Sequence, residues 1–233
     1  MGFLWPIINP LIIIAIFTLV FSQIMDIKIS GAGVTSSYVF YLCTGLLPWI
    51  ALEETIRNST GSLIANSPTL KNSPVPPEVL ILYPALSSIL NLMIGLTILL
   101  ILFFLFGYSL GIYLIFLPLV IILQQTFAFG ISLITGNINV FFRDIAQITN
   151  ISLMFTFWLT PIVYSPSILP NWAYSIINLN PLTHIIFLYR SLILHNTLSL
   201  THGVIFLPLA VFLILGIGIF VHKRMRGSIH DEL

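Results

Sequence analysis

Charged residues are scarce in this 233-residue chain: Asp, Glu, Lys and Arg together make up 6% of it, and hydrophobic residues make up 58%. In typical soluble domains, about a quarter of the residues are charged. The mean hydropathy of +1.09 leaves too little polar surface to cover a globule in water. The composition therefore excludes an ordinary soluble domain and predicts a protein whose solvent is the lipid bilayer.

Cysteine and the common catalytic motifs are also lacking. Cys43 is the single cysteine, so neither a disulfide framework nor a thiolate metal cage can form within one chain. The sequence has no GxxxxGK phosphate loop, no group of ligand-type residues at metal-binding spacing and no serine in a nucleophile elbow. We therefore predict no catalytic, cofactor-binding or metal site, and no nucleic-acid partner, because the few basic residues are scattered.

Ionisable side chains are absent from the centres of the long apolar runs. An ionisable group inside a membrane is usually functional, so this lack disfavours a secondary transporter or ion channel. That class of protein remains the alternative function. It also disfavours an intramembrane enzyme, which would need embedded acidic or histidine pairs. The histidines are all predicted to lie in loops or at helix ends: His184, His195, His202, His222 and His230.

Long apolar segments are what the chain does contain. A helix needs about 20 residues to cross a hydrocarbon core about 30 Å thick, and its backbone polar groups must be satisfied within the helix. Such segments lie near 5–25, 36–57, 78–106, 111–136, 145–164 and 200–222. The first has no basic region before it and no small-residue cleavage site after it, so we read it as a retained helix rather than a signal peptide. The prediction is one all-α integral-membrane domain, 1–233, with six transmembrane helices.

A further apolar stretch, 167–196, is interrupted by proline. Pro170 lies near its start and Asn180-Pro181 cut it in the middle, where proline removes an amide donor and disfavours helix at the preceding residue. Each half, at about 10–14 residues, would cover only about 15–21 Å. We therefore expect two short helices that dip into, or lie on, the outer face of the membrane.

The basic residues predict the orientation. With six crossings, both termini share one side with the loops 58–77 and 137–144. That side collects Arg57, Lys71, Arg143, Lys223, Arg224 and Arg226, and the other side has only Lys28 and Arg190. The positive-inside rule makes the first side, including both termini, cytoplasmic.

Several polar and aromatic residues admit two readings. Asn91, Gln124 and Gln125 at mid-depth are expected to form interhelical hydrogen bonds, and Glu53 with Arg57 an ion pair at i, i+4 spacing. The loop 58–77 has the composition of a short amphipathic helix, which is either a solvated connector or a docking element for a soluble partner.

The aromatic residues either anchor helix ends at the interface or line a passage for a sugar polymer. The candidates for that passage are Tyr38, Tyr41, Trp49, Phe157, Trp158 and Tyr164.

Several short motifs together resemble type 2 ABC-transporter permeases, in particular the group that exports O-antigen, teichoic-acid or capsule-like polysaccharides. They are Phe3-Leu4-Trp5-Pro6-Ile7-Ile8-Asn9-Pro10, Asn139-Val140-Phe141-Phe142-Arg143-Asp144, Trp158 followed by Thr160-Pro161-Ile162-Val163-Tyr164, Asn180-Pro181, Tyr189-Arg190, and the stretch from Asn66 to Glu78. The chain differs from the group in starting almost directly at Trp5, without a basic amphipathic helix before it. It also has Val75 and Pro77 where members tend to have an aromatic residue and an arginine.

The resemblance implies a homodimer in a prokaryotic cytoplasmic membrane, with a separate ABC ATP-binding subunit that holds ATP and Mg²⁺. The implied substrate is a polysaccharide linked to a polyprenyl diphosphate lipid, with a drug, haem or lipid as alternatives. It implies that coupling to the ATPase involves Asn66, Leu70, Lys71, Arg143 and Asp144. It implies an outer gate in 167–196 that includes Trp172, Tyr174, Asn180, Pro181, Tyr189 and Arg190.

Overall fold

The computed structural model describes residues 5–17, 38–72, 75–166, 169–199 and 202–232, and within these ranges the chain forms helices and turns with no strand. The α-helices are α1 (Trp5–Phe17), α2 (Tyr38–Ala65), α3 (Ser67–Asn72), α4 (Pro77–Leu105), α5 (Leu117–Phe141), α6 (Ile145–Leu159), α7 (Asn171–Asn178), α8 (Pro181–Ile193) and α9 (His202–Glu232). A 3-10 helix, Ile112–Phe116, leads into α5. The predicted all-helical class is confirmed for the described residues.

Among the described residues, four helical stretches are long and apolar enough to cross a membrane: Tyr38–Ala65, Pro77–Leu105, Ile112–Phe141 and Gly203–Ile229. The 15 residues of α6 would cover about 22 Å at 1.5 Å per residue, which is less than the core of a bilayer. Residues 18–25 of the predicted first span lie outside the described residues. The four stretches indicate a multi-pass membrane protein.

Proline and glycine mark the boundaries of α4. The helix starts at Pro77, next to the predicted boundary at 78, and has Glu78 in its first turn. Proline has no amide to leave unpaired there, and the carboxylate faces the positive end of the helix dipole. After the helix ends, Gly107 adopts a φ of +86°, a conformation that costs glycine no steric strain. The amide of Tyr108 then bonds to the carbonyl of Phe103 at 3.2 Å.

Three helices extend beyond the apolar runs that predicted them: α2 continues past 57 to Ala65, α5 past 136 to Phe141 and α9 past 222 to Glu232. Hydroxyl groups satisfy backbone carbonyls in the polar part of α2, where Thr60 donates to Ile56 at 2.7 Å and Ser62 donates to Ser59 at 2.8 Å. The end of a hydrophobic run marks where lipid contact ends, and a helix continues past it wherever the backbone hydrogen bonds are maintained.

The predicted break inside 167–196 is confirmed. α7 ends at Asn178 and α8 begins at Pro181. The Asn180 side-chain oxygen accepts a hydrogen bond from the Leu182 amide at 3.0 Å, which makes Asn180 the N-cap of α8. Pro181 then occupies the first helical position, where its missing amide costs nothing.

The chain folds into two compact units. Unit 1 comprises Met1–Trp49, Leu90–Val120 and Thr160–Ile205, and unit 2 comprises Ile50–Ile89, Ile121–Leu159 and Phe206–Leu233. Unit 1 contains a group of aromatic rings in which Phe103 lies edge-on to Phe40 at 5.1 Å and stacks on Tyr108 at 4.6 Å. Unit 2 has a buried aliphatic cluster, called here the lower core, formed by Leu63, Leu70, Ile81, Leu133, Val140 and Ile229.

Small residues and amide side chains join the helices of unit 2. A Cβ atom built on Gly130 of α5 would lie 2.9 Å from the Leu215 backbone of α9, and one on Gly218 would lie 2.5 Å from the Gly130 carbonyl oxygen. The two backbones therefore pack in direct contact, as small residues allow between membrane helices. The interhelical bond predicted for Gln125 is confirmed, because its side-chain oxygen accepts from Thr55 at 2.8 Å and from Ser88 at 3.4 Å.

Candidate functional site

The short helix α3 is anchored by one apolar residue. Leu70 is 2% exposed and belongs to the lower core, whereas Asn66 and Lys71 are exposed. The Asn66 side-chain amide donates to the Ser62 carbonyl at 2.8 Å, and the backbone carbonyl of Asn66 accepts from the amides of Thr69 and Leu70. Of the residues predicted to couple to a partner, Leu70 holds α3 in place, and Lys71 offers a charge to the solvent.

The turn between α5 and α6 is held by a buried asparagine. The Asn139 side-chain amide donates to the Thr60 carbonyl of α2 at 2.9 Å, and its side-chain oxygen accepts from the Ala146 amide in the first turn of α6 at 3.0 Å. Arg143 and Asp144, which lie within the turn, are exposed. Val140, near the end of α5 just before this turn, belongs to the lower core together with Leu70. The helix α3 and the end of α5 therefore pack against the same cluster.

A polar cluster in unit 2 joins α4, α5 and α9. The Nδ1 atom of His222 lies 3.0 Å from Asn137 Oδ1, and its Nε2 atom lies 3.3 Å from Glu78 Oε2. Arg226 Nη1 lies 3.1 Å from Glu78 Oε1. His222 is buried inside α9, so the prediction that it lies in a loop or at a helix end is wrong. The predicted ion pair between Glu53 and Arg57 is confirmed.

The aromatic candidates for a passage fall into two groups. In unit 1 the Tyr38 hydroxyl donates to the Val163 carbonyl at 2.6 Å, and the Tyr41 hydroxyl donates to the Tyr164 carbonyl at 3.0 Å. Tyr38 and Trp49 are buried. In unit 2 Phe157 and Trp158 form an edge-to-face pair at 5.4 Å, and Trp158 is 61% exposed. Within unit 1 the tyrosine hydroxyls hold a backbone turn, and the lining of a passage by these six residues remains a prediction.

Arg190 of α8 is a buried cation that binds backbone carbonyls. Its Nη1 and Nη2 atoms donate to Pro161 and Ile162, each at 2.7 Å, and its Nε atom lies 3.4 Å from the Tyr41 carbonyl. The guanidinium carbon lies 3.6 Å from the centroid of the Tyr41 ring, a cation–π contact. Burial lowers the pKa of Arg190 to about 10, so the side chain remains charged at neutral pH.

The segment 160–164 is where the predicted outer motifs meet. The Asn180 side-chain amide donates to the Thr160 hydroxyl at 3.0 Å, so Asn180 and Arg190 bind the same short stretch that Tyr38 and Tyr41 contact. Three motifs that are separate in sequence are thus brought together. Tyr189, next to Arg190, is fully buried, and its hydroxyl has no hydrogen-bond partner among the described residues. Trp172 and Tyr174 of α7 are exposed.

Comparison with known protein families matches residues 1–194 to the family described as ABC-2 type transporter. The chain belongs to this family. Membership implies that this ABC-2 transporter chain works with an ATP-binding partner subunit.

Individual relatives of this ABC-2 transporter chain match it over most of its length. Two proteins from Klebsiella pneumoniae, both named O-antigen export system permease protein RfbA, are 29% identical over 228 residues and 30% identical over 227 residues. These matches cover 97% of this chain and 86% and 85% of the relatives. A protein of the same name from Myxococcus xanthus is 25% identical over 200 residues, which is 85% of this chain and 75% of the relative.

Two features of this ABC-2 transporter chain were missed by sequence reasoning. Asn139 was noticed only as part of a motif, because it lies inside α5, well before the start of α6, where no capping position is expected. The contact between His222 and Asn137 had no local signal, because the residues lie 85 positions apart. Tertiary packing alone places them together.

Proposed function

We propose that this chain is the membrane-spanning subunit of an ATP-driven exporter that moves an O-antigen-like polysaccharide, linked to a polyprenyl diphosphate lipid, across the cytoplasmic membrane of a prokaryote. The observation that carries this proposal is the match of 97% of the chain to permeases named for O-antigen export. The match extends across both units, and so includes the segments expected to couple and to gate.

The proposed arrangement is a homodimer in which each subunit crosses the membrane six times. The four long helical stretches supply four crossings, α1 supplies the first, and α6 with the turn at 160–164 supplies the fifth. The distribution of basic residues supports a cytoplasmic location for both termini. Unit 2 contains Arg57, Lys71, Arg143, Lys223, Arg224 and Arg226. On this topology α7 and α8 form a re-entrant or interfacial gate on the outer side.

The ATP-binding subunit, which would hold ATP and Mg²⁺, docks in this proposal on α3 and on the α5–α6 turn. Lys71, Arg143 and Asp144 are exposed and charged, as a polar contact with a soluble partner requires. Leu70 ties α3 to the lower core. A displacement of α3 by the partner would therefore move the helices of that cluster as rigid elements, and nucleotide acts by stabilising one of two states.

The polysaccharide path in this proposal uses aromatic faces at the dimer axis. Trp158 is 61% exposed and Trp172 is 70% exposed in a single subunit. Aromatic rings offer apolar surface to the C–H faces of sugars without fixed hydrogen bonds, so they suit a polymer that must slide. Among the other candidates, Tyr38 and Tyr41 support the 160–164 turn of unit 1 through their hydroxyl groups.

The coupling role is tested by Lys71→Glu, with Ser228→Glu, which places the same carboxylate at an exposed position of α9, as the control. In cells that depend on this chain, we expect Lys71→Glu to lower surface polysaccharide at least about tenfold, a cost of about 1.4 kcal/mol in coupling. Its membrane abundance should be unchanged, because Lys71 makes no core contact. The measurement is glycan blotting together with ATP hydrolysis by the reconstituted complex.

Normal export by Lys71→Glu would contradict docking at α3. Leu70→Ala is not a clean probe, because removing a buried leucine costs about 2–5 kcal/mol of stability in itself. The transport function as a whole predicts that the purified chain, without its partner, hydrolyses no ATP. Export that continues without ATP and stops with a proton ionophore would instead show a secondary transporter.

A further inference from the structure

Unit 1 contains a pocket of about 560 Å³ between the 161–166 segment, α7, α8 and the start of α9. This volume lies within the range of sites that bind small ligands, about 300–1,000 Å³. Its walls combine a buried cation, Arg190, with imidazoles of His184 and His195 and the rings of Tyr174 and Phe187. The mixture of charge, hydrogen-bonding groups and aromatic rings differs from the purely apolar surface that a lipid-facing groove would show.

The charge in this pocket is not balanced by the described part of unit 1. Arg190 is 7% exposed, and it donates to the carbonyls of Pro161, Ile162 and Tyr41, which orient the guanidinium without neutralising it. The described residues of unit 1 contain no Asp or Glu; the one carboxylate in its sequence, Asp26, lies outside them. A buried cation without an anion is costly, so the pocket favours an anionic ligand.

A second, independent group points to a ligand. Thr183 lines the pocket, is 7% exposed, and its hydroxyl has no hydrogen-bond partner among the described residues. Buried hydroxyls in folded proteins are nearly always paired. Thr183 lies about two helical turns before Arg190 on α8, and its hydroxyl can donate to, or accept from, a molecule bound in the pocket that both residues line.

The aromatic walls indicate that this molecule is more than a bare anion. Tyr174 and Phe187 provide ring surface within the same pocket, and Tyr41 does so beneath the guanidinium. Sugar rings carry apolar C–H faces that pack on aromatic rings, and hydroxyl groups that pair with side chains such as Thr183. A small anion alone would leave these walls uncovered.

We propose that this pocket binds one sugar unit that carries a carboxylate or phosphate group, with Arg190 facing the acid and Thr183 bonding to the sugar. This site rests on the proposed function, since such a unit would belong to the exported polysaccharide. It makes α8 a recognition element for acidic glycan during export.

The test uses the full chain in phosphatidylcholine nanodiscs, with digalacturonic acid and neutral digalactose as probes in isothermal titration calorimetry. We expect the acidic probe to bind at least about tenfold more tightly, as a charged hydrogen bond at a buried site would produce. Equal affinity for the two probes, or no binding of the acidic one, would overturn the proposal.

Thr183→Val separates a ligand role from a structural one. Because the hydroxyl has no hydrogen-bond partner among the described residues, its removal should leave the melting temperature unchanged or raised, while the affinity for the acidic probe falls about fivefold. Thr97→Val is the control, because Thr97 is exposed on α4 and its hydroxyl donates to the Met93 carbonyl. The affinity of this variant for the acidic probe should equal that of the wild type. Wild-type affinity in Thr183→Val would contradict the site. Arg190→Gln should abolish the preference for acid but is also expected to loosen the 160–164 turn.

Two further arms identify the source of the anion. Inorganic phosphate that binds as tightly as the acidic disaccharide, with the same dependence on Thr183, would show a site for the anion alone. Loss of acidic-probe binding in phosphatidylglycerol nanodiscs would show that a lipid headgroup is the occupant. Either result overturns the assignment to a sugar unit. If deletion of this chain leaves surface polysaccharide unchanged, the proposed function fails even where the acidic probe still binds.

Discussion

Asn139 shows how one side chain joins three helices of unit 2. Both of its polar atoms are used, one on the Thr60 carbonyl and one on the Ala146 amide, and the residue is 2% exposed. Water therefore cannot replace either bond when the side chain is changed. Arg190 and Asn180 act in a similar way in unit 1, where both hold the segment 160–164.

Asn139→Ala should lower the free energy of unfolding by about 1–2 kcal/mol, because it removes a buried bond to the Thr60 carbonyl and leaves the Ala146 amide, in the first turn of α6, without its acceptor. Asn139→Asp should also destabilise, since its carboxylate would still accept from Ala146 but would repel the Thr60 carbonyl. The measurement is thermal unfolding followed by tryptophan fluorescence. Asn171→Ala, an exposed change on α7, is the control, and wild-type stability of Asn139→Asp would show that the bond to Thr60 contributes nothing.

At the scale of helices, packing in unit 2 relies on small residues and hydroxyl-to-amide bonds rather than on apolar burial. Lipid is as apolar as a leucine side chain, so burial in itself drives little association between membrane helices. Close approach of α5 to α9 at Gly130 and Gly218, and the bond from Thr55 to Gln125, provide the specific contacts. These contacts determine which faces of α2, α5 and α9 meet.

Three glycines of these helices make a matched series. Gly130→Ala and Gly218→Ala should each destabilise the protein by about 1–3 kcal/mol, because the new methyl group would meet backbone atoms that cannot move aside. Gly216→Ala should be neutral or stabilising by up to about 1 kcal/mol, since nothing lies within 4 Å and alanine favours helix. Melting temperatures in detergent measure the series, and equal values for Gly216→Ala and Gly130→Ala would refute direct backbone packing.

At the scale of the whole molecule, the proposed topology depends on the charge difference between the two sides of the membrane. Lys223, Arg224 and Arg226 follow the last apolar run, and a charge cluster of this kind resists translocation. In the proposed topology, an even number of crossings would keep this cluster in the cytoplasm together with α3.

Labelling of single cysteines with a membrane-impermeant maleimide tests this topology. Cys43 is fully buried, so Cys43→Ala provides a cysteine-free background at little cost in packing. We expect Ser109→Cys and Asn171→Cys to react in intact spheroplasts, and Asn72→Cys and Ser228→Cys to react only after permeabilisation. All four positions are exposed. Reaction of Ser228→Cys in intact spheroplasts would indicate an odd number of crossings and contradict the proposal.

The sequence by itself determined the membrane class, the helical fold and several helix boundaries. Those properties depend on local facts: the length of an apolar run, the missing amide of Pro77 or Pro181, and the cap at Asn180. Only the tertiary structure decided that Leu70 is buried, that His222 faces Asn137, and that Arg190, which binds backbone carbonyls, lines the same pocket as Thr183. Such contacts join residues far apart in the chain. They depend on how each helix is rotated and packed, which the local hydrophobic pattern of a membrane helix leaves open.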